Sequence, residues 1–387
     1  VQGILSRHVG EIALVVGAAA LSLVLWLLRW HSAKGQYMGD SFMYADRTYR
    51  LAGQSARESS IHAMQMTCRW LHHRADAAQF PTGCRHGYLS INPEYAAIFH
   101  DRVGYPLLAA ALLPLFHTGA FAVALGICAV LAGTGVAVLA RLVGGSVPAA
   151  LAAVALLFGV REATWLARIG SEAPALVGVV GVACALVAIR RIGAARAAVP
   201  LALSSVWLFV VRPSSAVELA LAIGVVYGVV ALRSRDRLDV TVAATGAGIL
   251  LAELAVMQVL HSPGLTTTLQ DTFTHHFLRP DVDHLVSRYL ALLARTSARL
   301  GVGIVRHPLA PALAVVGVAA ALAVRRFRTP AICVVAIAIA SAVVHPVFTE
   351  VPRLVSPGTL VEAVGLAVGV PAVVRRLRAP ARRPAAG

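Results

Sequence analysis

Runs of apolar residues near the length that crosses a bilayer, about 20 residues, recur along the chain, separated by short polar stretches. Ten runs qualify as candidate spans: 11–30, 121–140, 147–160, 174–189, 198–211, 215–232, 240–260, 308–324, 331–347 and 358–374. Several are short, so they must tilt little, borrow flanking residues, or be broken helices packed inside a bundle. One more apolar run, 105–116, is shorter still and carries Pro106 and Pro114. Charge decides whether it crosses. The basic clusters are Arg190, Arg191 and Arg196; Arg233, Arg235 and Arg237; Arg325, Arg326 and Arg328; and the tail 375–387. They share one side, as the positive-inside rule asks, only if 105–116 stays at the outer surface or dips in and returns. The pattern therefore predicts an all-α, polytopic membrane bundle of about ten spans, one integral membrane domain over 1–387, with both termini cytoplasmic.

This topology leaves two large outer loops, 31–119 and 261–307, and shorter outer turns at 161–173, 212–214 and 348–357. Nearly all the unusual polar chemistry falls in these five pieces. The cytoplasmic loops are short and basic and carry no nucleotide-binding glycine pattern. The chain shows no internal repeat. Its basic tail is expected to lie near anionic lipid.

Composition sharpens the class. Of 387 residues, 58% are hydrophobic and 13% charged, with mean hydropathy +0.75. Soluble domains carry about 25% charged residues, so the deficit asks for many spans and a multi-pass protein of the plasma membrane. A net charge of +16 in a soluble protein would suggest nucleic acid. Here the basic residues lie between and after apolar runs, which excludes that partner. No small-residue cleavage site follows the first run, so it reads as a retained span.

The outer pieces hold the candidate chemistry. Segment 39–53 reads GDSFMYADRTYRLAG, with Asp40, Tyr44 and Arg47 at helical spacing on one face. Asp40 is either a helix N-cap, with Asp46 solvated, or a general base whose partial desolvation raises its basicity. Glu162 and Glu172 fall in REATWLARIGSEAPA, where Glu172 and Ser171 either cap the next helix or join a polar site with Arg161 and Arg168. Arg212 precedes Pro213 within an apolar stretch, a costly position unless it faces water, a carboxylate or an anion. Glu350 and Arg353 either pair with each other or leave Arg353 to a phosphate.

The second loop holds His261, Asp271, His275, His276, Arg279, Asp281, Asp283, His284 and Arg288, without a tight ligand spacing such as HExxH. A surface helix with phosphate-binding His or Arg is the expectation there, and no metal site. Segment 289–300 is amphipathic and suits the membrane interface. Cys128, Cys184 and Cys333 sit in apolar runs as packing residues. Cys68 and Cys84 share the first outer loop, which faces an oxidising compartment under this topology, and are expected to form a disulfide that holds the loop around Trp70, His72 and His73.

Read in order, the outer features are an acidic residue and tyrosine in a long first loop, then FHDRVGYPLLAAALLPLF, an SE turn after a span, VRP, and E-x-x-R before the last span. From residue 39 to about 357 this order resembles the polytopic GT-C glycosyltransferases that use polyprenyl-phosphate sugars. FHDRVGYPLL is similar to their R-x-x-YP-x-L stretch, with Arg102, Tyr105 and Pro106 matching. The resemblance implies Asp40 as catalytic base and Glu172 as the second acidic position. Arg353, Arg212, Arg102, His276 and Arg279 would meet the donor phosphate, and Tyr44, Asp46 and Glu350 the sugar or acceptor. The chain departs from the family in two ways. A lone Asp40 is followed by Ser41 where a double acid is common, and no C-terminal soluble domain is seen, which leaves the acceptor open.

An inverting transfer onto a hydroxyl of an envelope glycan or lipid, on the extracytoplasmic face, is what this implies. No cofactor is required, because a phosphate leaving group is already a stabilised anion; Glu172 near Asp40 could hold a divalent cation or orient the acceptor. A transporter or lipid flippase is the main alternative. It would want inverted repeats or mid-membrane charges, and the interior carboxylates are only Glu218, Glu253 and Glu362. A non-catalytic scaffold of an envelope assembly is the other.

Overall fold

The computed structural model describes residues 2–32, 40–71, 84, 92–159, 161–274, 276–277 and 279–378, with the backbone alone for 2–8, 32, 70–71 and 161–163. Every described element is helical. In chain order they are α1 Gln2–Ser32, α2 Ser41–Leu51, α3 Ala56–Leu71, α4 Pro93–Ala97, α5 Gly104–Phe116, α6 Ala120–Leu142, α7 Val147–Gly159, α8 Glu172–Ile192 and α9 Ala194–Val211. There follow α10 Pro213–Ser234, α11 Arg237–Val259, α12 Leu265–Thr274, α13 Leu285–Arg306, α14 Leu309–Ala323, α15 Arg328–Val344, α16 Val351–Leu354, α17 Gly358–Val364 and α18 Val370–Arg378. A π turn, Gly365–Gly369, joins the last two.

The described parts of the ten apolar runs are helical over most of their length, and length and composition mark fewer of them as spans than the expected ten or so. Among the described residues, six helical stretches are long and apolar enough to cross a membrane: Val9–His31, Gly104–Leu142, Glu172–Ile192, Ala194–Val211, Pro213–Ser234 and Arg237–Val259. A seventh arises if the pair Leu285–Arg306 and Leu309–Ala323, bent by 99°, is one broken span. The runs at α7 and α15 form apolar helices of 13 and 17 residues. At 1.5 Å per residue the shorter reaches only about 20 Å, against a hydrocarbon core of about 30 Å.

The stretch Gly104–Leu142 is helical throughout but not straight. His117 takes a left-handed backbone (φ 49) at the 3₁₀ turn His117–Gly119. The Tyr105 hydroxyl donates to the Phe121 carbonyl at 3.2 Å. Sixteen residues of straight helix would hold those groups about 24 Å apart. Hence α5 and α6 form a V, and α6 is the part that runs the length of the bundle. The sharp bend between α13 and α14 likewise sets the amphipathic segment α13 across the direction of α14.

The bundle has two distinct ends. At one, Arg190 pairs with Asp236 (2.9 Å) and Asp239 (2.5 Å), Arg191 donates to the Leu142 carbonyl (2.6 Å), and Arg141 pairs with Glu11 (2.6 Å). Arg376 reaches the Ala323 carbonyl (3.5 Å), and Gly145 abuts Val368. The basic clusters therefore gather at that end. Helices α2 and α4, the start of α8, the α9–α10 joint and α16 occupy the other.

Small residues set the helix spacing. A Cβ on Gly246 would lie 2.7 Å from the Gly224 backbone nitrogen, so α10 and α11 touch backbone to backbone. Such close approach is how apolar helices gain packing energy in lipid. At the π turn, a Cβ on Gly365 would overlap the Gly317 carbonyl oxygen of α14. Arg29, at the end of α1, donates to the Phe158 (2.7 Å) and Gly159 (2.9 Å) carbonyls and so closes the end of α7. Cys68 and Cys84 are disulfide-bonded, with Cα atoms 5.6 Å apart; Trp70, His72 and His73, which this bridge was expected to organise, have side chains outside the described residues.

Overlap with a backbone atom cannot be relieved by a side-chain shift. Gly365→Val should therefore cost about 1–3 kcal/mol or more, read as a lower thermal midpoint in detergent. Gly17→Val, at a position with nothing within 4 Å, should leave the midpoint in place.

Candidate active site

Asp40 stands at the N-cap position of α2 yet makes no side-chain capping bond. The next residue, Ser41, donates its hydroxyl to the Ile169 carbonyl (2.5 Å) and ties the start of α2 to the turn before α8. Phe42, Tyr44 and Tyr49 bury their rings; Tyr44 meets Phe99 and Tyr105 edge-on, at 5.7 and 5.9 Å between centroids. With α2 locked this way, the Asp40 carboxylate is held toward the centre of the polar end.

That centre is Arg353. Its Nη2 pairs with Asp40 Oδ2 (2.6 Å), its Nη1 with Glu350 Oε2 (3.1 Å), and its Nε with Glu172 Oε1. Glu350 and Arg353 do pair locally, as sequence proximity suggests, but the same guanidinium also joins two carboxylates from distant segments. Glu172 is fully buried, and Ser171, the N-cap of α8, makes no side-chain capping bond. Arg212 Nη1 lies 3.9 Å from Glu172 Oε1. Pro213 occupies the first turn of α10 and stops α9 at that arginine. Gly104 admits the end of α9: a Cβ there would sit 2.7 Å from Val211 Cγ2.

A second layer covers Asp40. The Tyr95 hydroxyl donates to Asp40 Oδ1 (3.4 Å), and the Tyr95 ring meets the His276 ring at a tilt of 45°, with centroids 4.4 Å apart. His276 Nδ1 is 3.0 Å from Asp271 Oδ1. Arg102 donates to the Tyr44 hydroxyl (3.4 Å) and lies over the Phe99 ring (4.7 Å). His276 and Phe277 both take left-handed backbones (φ 64 and 56), costly without glycine. The Phe277 N–H bonded to Thr274 Oγ1 (2.9 Å) and the Asn92 side chain bonded to the Phe277 carbonyl (3.3 Å) hold that turn.

Other expected site residues lie elsewhere. Asp46 is buried, not solvated, and its oxygens accept from Ser59 (2.8 Å) and Arg50 (2.8 Å), joining α2 to α3 away from the cluster. Arg279 is exposed, and its backbone N–H donates to the Thr274 carbonyl (3.1 Å). Arg168 stacks on Trp165 (4.2 Å). The side chains of Arg161, Glu162 and His275 are outside the described residues. Tyr95 and His345, unmarked in the sequence reading, join the site; His345 Nδ1 meets Thr272 Oγ1 at 3.4 Å. An isolated tyrosine and an isolated histidine carry no spacing signal that could have found them.

Burial pushes the Asp40 carboxyl upward, but Arg353 and then Arg102 outweigh it and hold Asp40 below the usual carboxylate range. The Arg353 guanidinium loses solvation yet is held well above its ordinary value by Glu172, Asp40 and Glu350. Arg212 differs. Burial pulls it down, Glu172 offsets only part, and Arg353 and Arg102 add repulsion. It remains ionised but is the least compensated cation of the group. The bond to Asp271 raises His276 against the pull of burial, and burial lowers His345.

The arrangement changes two expectations. Arg353 has carboxylates on all three guanidinium nitrogens, so it positions acids; Arg212 and Arg102 are the cations better placed to take an added anion. The position between Asp40 and Glu172 is filled by the guanidinium, so this pair, as arranged, does not fit a divalent cation. Among the described residues no group of three His, Cys, Asp or Glu side chains converges as metal ligands. Also among them, Glu172 Oε2 and the hydroxyls of Ser171 and Ser215 are buried without hydrogen-bond partners. Compared with models of known families and with curated proteins, the chain matches none.

Removing one member of a buried ion cluster strands the others. Arg353→Gln should cost about 3–5 kcal/mol in chemical unfolding, and adding Asp40→Asn should recover part of it. The pH dependence has a defined sign. A depressed Asp40 contributes stability fully above the unfolded value of about 3.9 and loses it as pH falls through the lower folded value. Asp40→Asn should flatten that acid limb of a stability-versus-pH curve.

Proposed function

We propose that the protein is a GT-C-like inverting glycosyltransferase that moves a sugar from a polyprenyl-phosphate donor to a hydroxyl of an envelope glycan or lipid. The reading rests on one observation above all: a partly buried Asp40 is bridged through Arg353 to Glu172 and Glu350, with Arg212, Arg102 and His276 around them. Structural ion pairs alone do not call for so many buried charges at one end of an apolar bundle, where each is expensive. Perturbed acids beside cations are the usual furniture of a reaction centre. In this proposal the polar end faces the extracytoplasmic side of the plasma membrane, the basic end and both termini face the cytoplasm, and membrane lipids surround the spans.

In the reaction the acceptor oxygen attacks the anomeric carbon, the carbon–oxygen bond to phosphate breaks, and the hydroxyl proton passes to the Asp40 carboxylate. The departing phosphate takes the electron pair and is neutralised by Arg212, Arg102 and protonated His276. One displacement inverts the anomeric centre. Arg353 couples the two halves. While it pairs with Asp40 the acid is a weak base. Loosening of that pair on substrate binding would let burial raise Asp40 toward a useful basicity. Tyr95 keeps its proton, because burial and the charge of Asp40 push the phenol up, and so orients Asp40 as a donor.

Purified protein given a polyprenyl-phosphate sugar and a glycan or lipid acceptor should lose about 10²–10⁴-fold in turnover on Asp40→Asn. Equal turnover would remove the base assignment. Donor affinity should fall as pH rises through the elevated His276 value, since its cationic form is what meets phosphate. In His276→Gln the affinity should be weaker and flat over the same range, by calorimetric titration.

A further inference from the structure

Outside the charged cluster, one cavity of about 270 Å³ opens between Trp30 of α1, Met66 and Arg69 of α3, the Thr118–Gly119 turn, Phe121 and Ala122 of α6, and Ile169. Its walls are apolar apart from the Thr118 hydroxyl and Arg69, which is exposed at the end of α3. Such a lining suits hydrocarbon, and a single cation beside it suits one anionic head group. The depth is right for a lipid. Trp30 closes the candidate span Val9–His31 and stacks on Trp26 at 5.5 Å, the position where tryptophans mark the boundary of hydrocarbon and water.

The cavity is joined to the candidate active site by direct bonds. The Ile169 carbonyl in its wall accepts from Ser41, the residue after Asp40. The Phe121 carbonyl accepts from Tyr105, whose ring meets Tyr44. Asp40 precedes Ser41 and pairs with Arg353, so it links this wall to the charged cluster. A displacement needs the nucleophile and its base on one side of the anomeric carbon and the leaving phosphate on the other. The arginines claim the leaving side, so the groove falls to the acceptor.

We infer that this groove takes the apolar chain of a lipid-borne acceptor, with Arg69 against the phosphate of its head group and a head-group hydroxyl directed to Asp40. The inference rests on the transferase reading for the word acceptor; lipid occupancy of the groove does not depend on it. At about 270 Å³ the groove holds a segment of chain next to the head group and not a whole lipid, so the rest of the chain stays in the bilayer.

The full-length protein in micelles, photolabelled with a diazirine-tailed phosphatidylglycerol, should carry label on peptides holding Thr118–Ala122 and Ile169. Ala122→Trp fills the groove and should abolish that label, and Ala122→Leu should reduce it if the larger variant folds poorly. Arg69→Gln should keep the label but lose about tenfold of the preference for this lipid over the matching diacylglycerol, the worth of one charge-assisted bond. Inorganic phosphate should not compete; competition would mean a free-anion site and overturn the lipid assignment, as would label spread equally over α10 and α11. Asp40→Asn should label like the wild type. With an active preparation, Ala122→Trp should raise KM for a lipid acceptor and leave donor KM unchanged. The opposite split would assign the groove to the donor and overturn the acceptor inference, while loss of the transferase reading alone would leave the labelling intact.

Discussion

One guanidinium holds the polar end together. Arg353 binds Asp40, Glu172 and Glu350 at once, and these groups come from the segment before α2, the start of α8 and the lead into α16. In a low-dielectric setting each carboxylate would be costly alone. Gathered on a shared cation they become tolerable, and the three chain segments are fixed relative to one another. Arg212 adds positive charge that Glu172 only partly offsets, which leaves that arginine receptive to an anion.

The bundle beneath is suited to support such a cluster. Helices α10 and α11 meet at Gly224 and Gly246, and α14 meets the π turn through Gly317 and Gly365. Contacts of this kind bring the helix backbones close, because no side chain intervenes. The charged end is therefore mounted on closely packed helices, while α4 and the His276 turn are tied down by a few hydrogen bonds. A reactive centre needs both properties: acids held to fractions of an ångström, and a cover that a substrate can part.

The same asymmetry organises the chemistry proposed here. Apolar surface at the Trp30–Phe121 groove and buried charge around Arg353 lie on either side of the Ser41–Ile169 contact. An amphiphile can satisfy both environments together. A small polar solute would meet only the second, and a plain hydrocarbon only the first.

Composition and periodicity by themselves determined that this chain is helical and membrane-embedded, because burying apolar runs in lipid leaves the backbone no other way to satisfy its hydrogen bonds. The disulfide at Cys68 and Cys84 was legible because the two cysteines share one expected outer loop, Asp40, Glu172 and Arg212 were legible as charges beside apolar runs, and Arg353 as an arginine before the last run. Only the tertiary structure decided what each does. It turned Arg353 from a free phosphate ligand into the bridge between acids, sent Asp46 to Ser59 and Arg50, and folded Gly104–Leu142 into a V. It also brought Tyr95 and His345 beside residues far away in sequence. Those outcomes depend on which helices touch, and contact between distant segments is set by packing shape and charge balance, neither of which has a period along the chain.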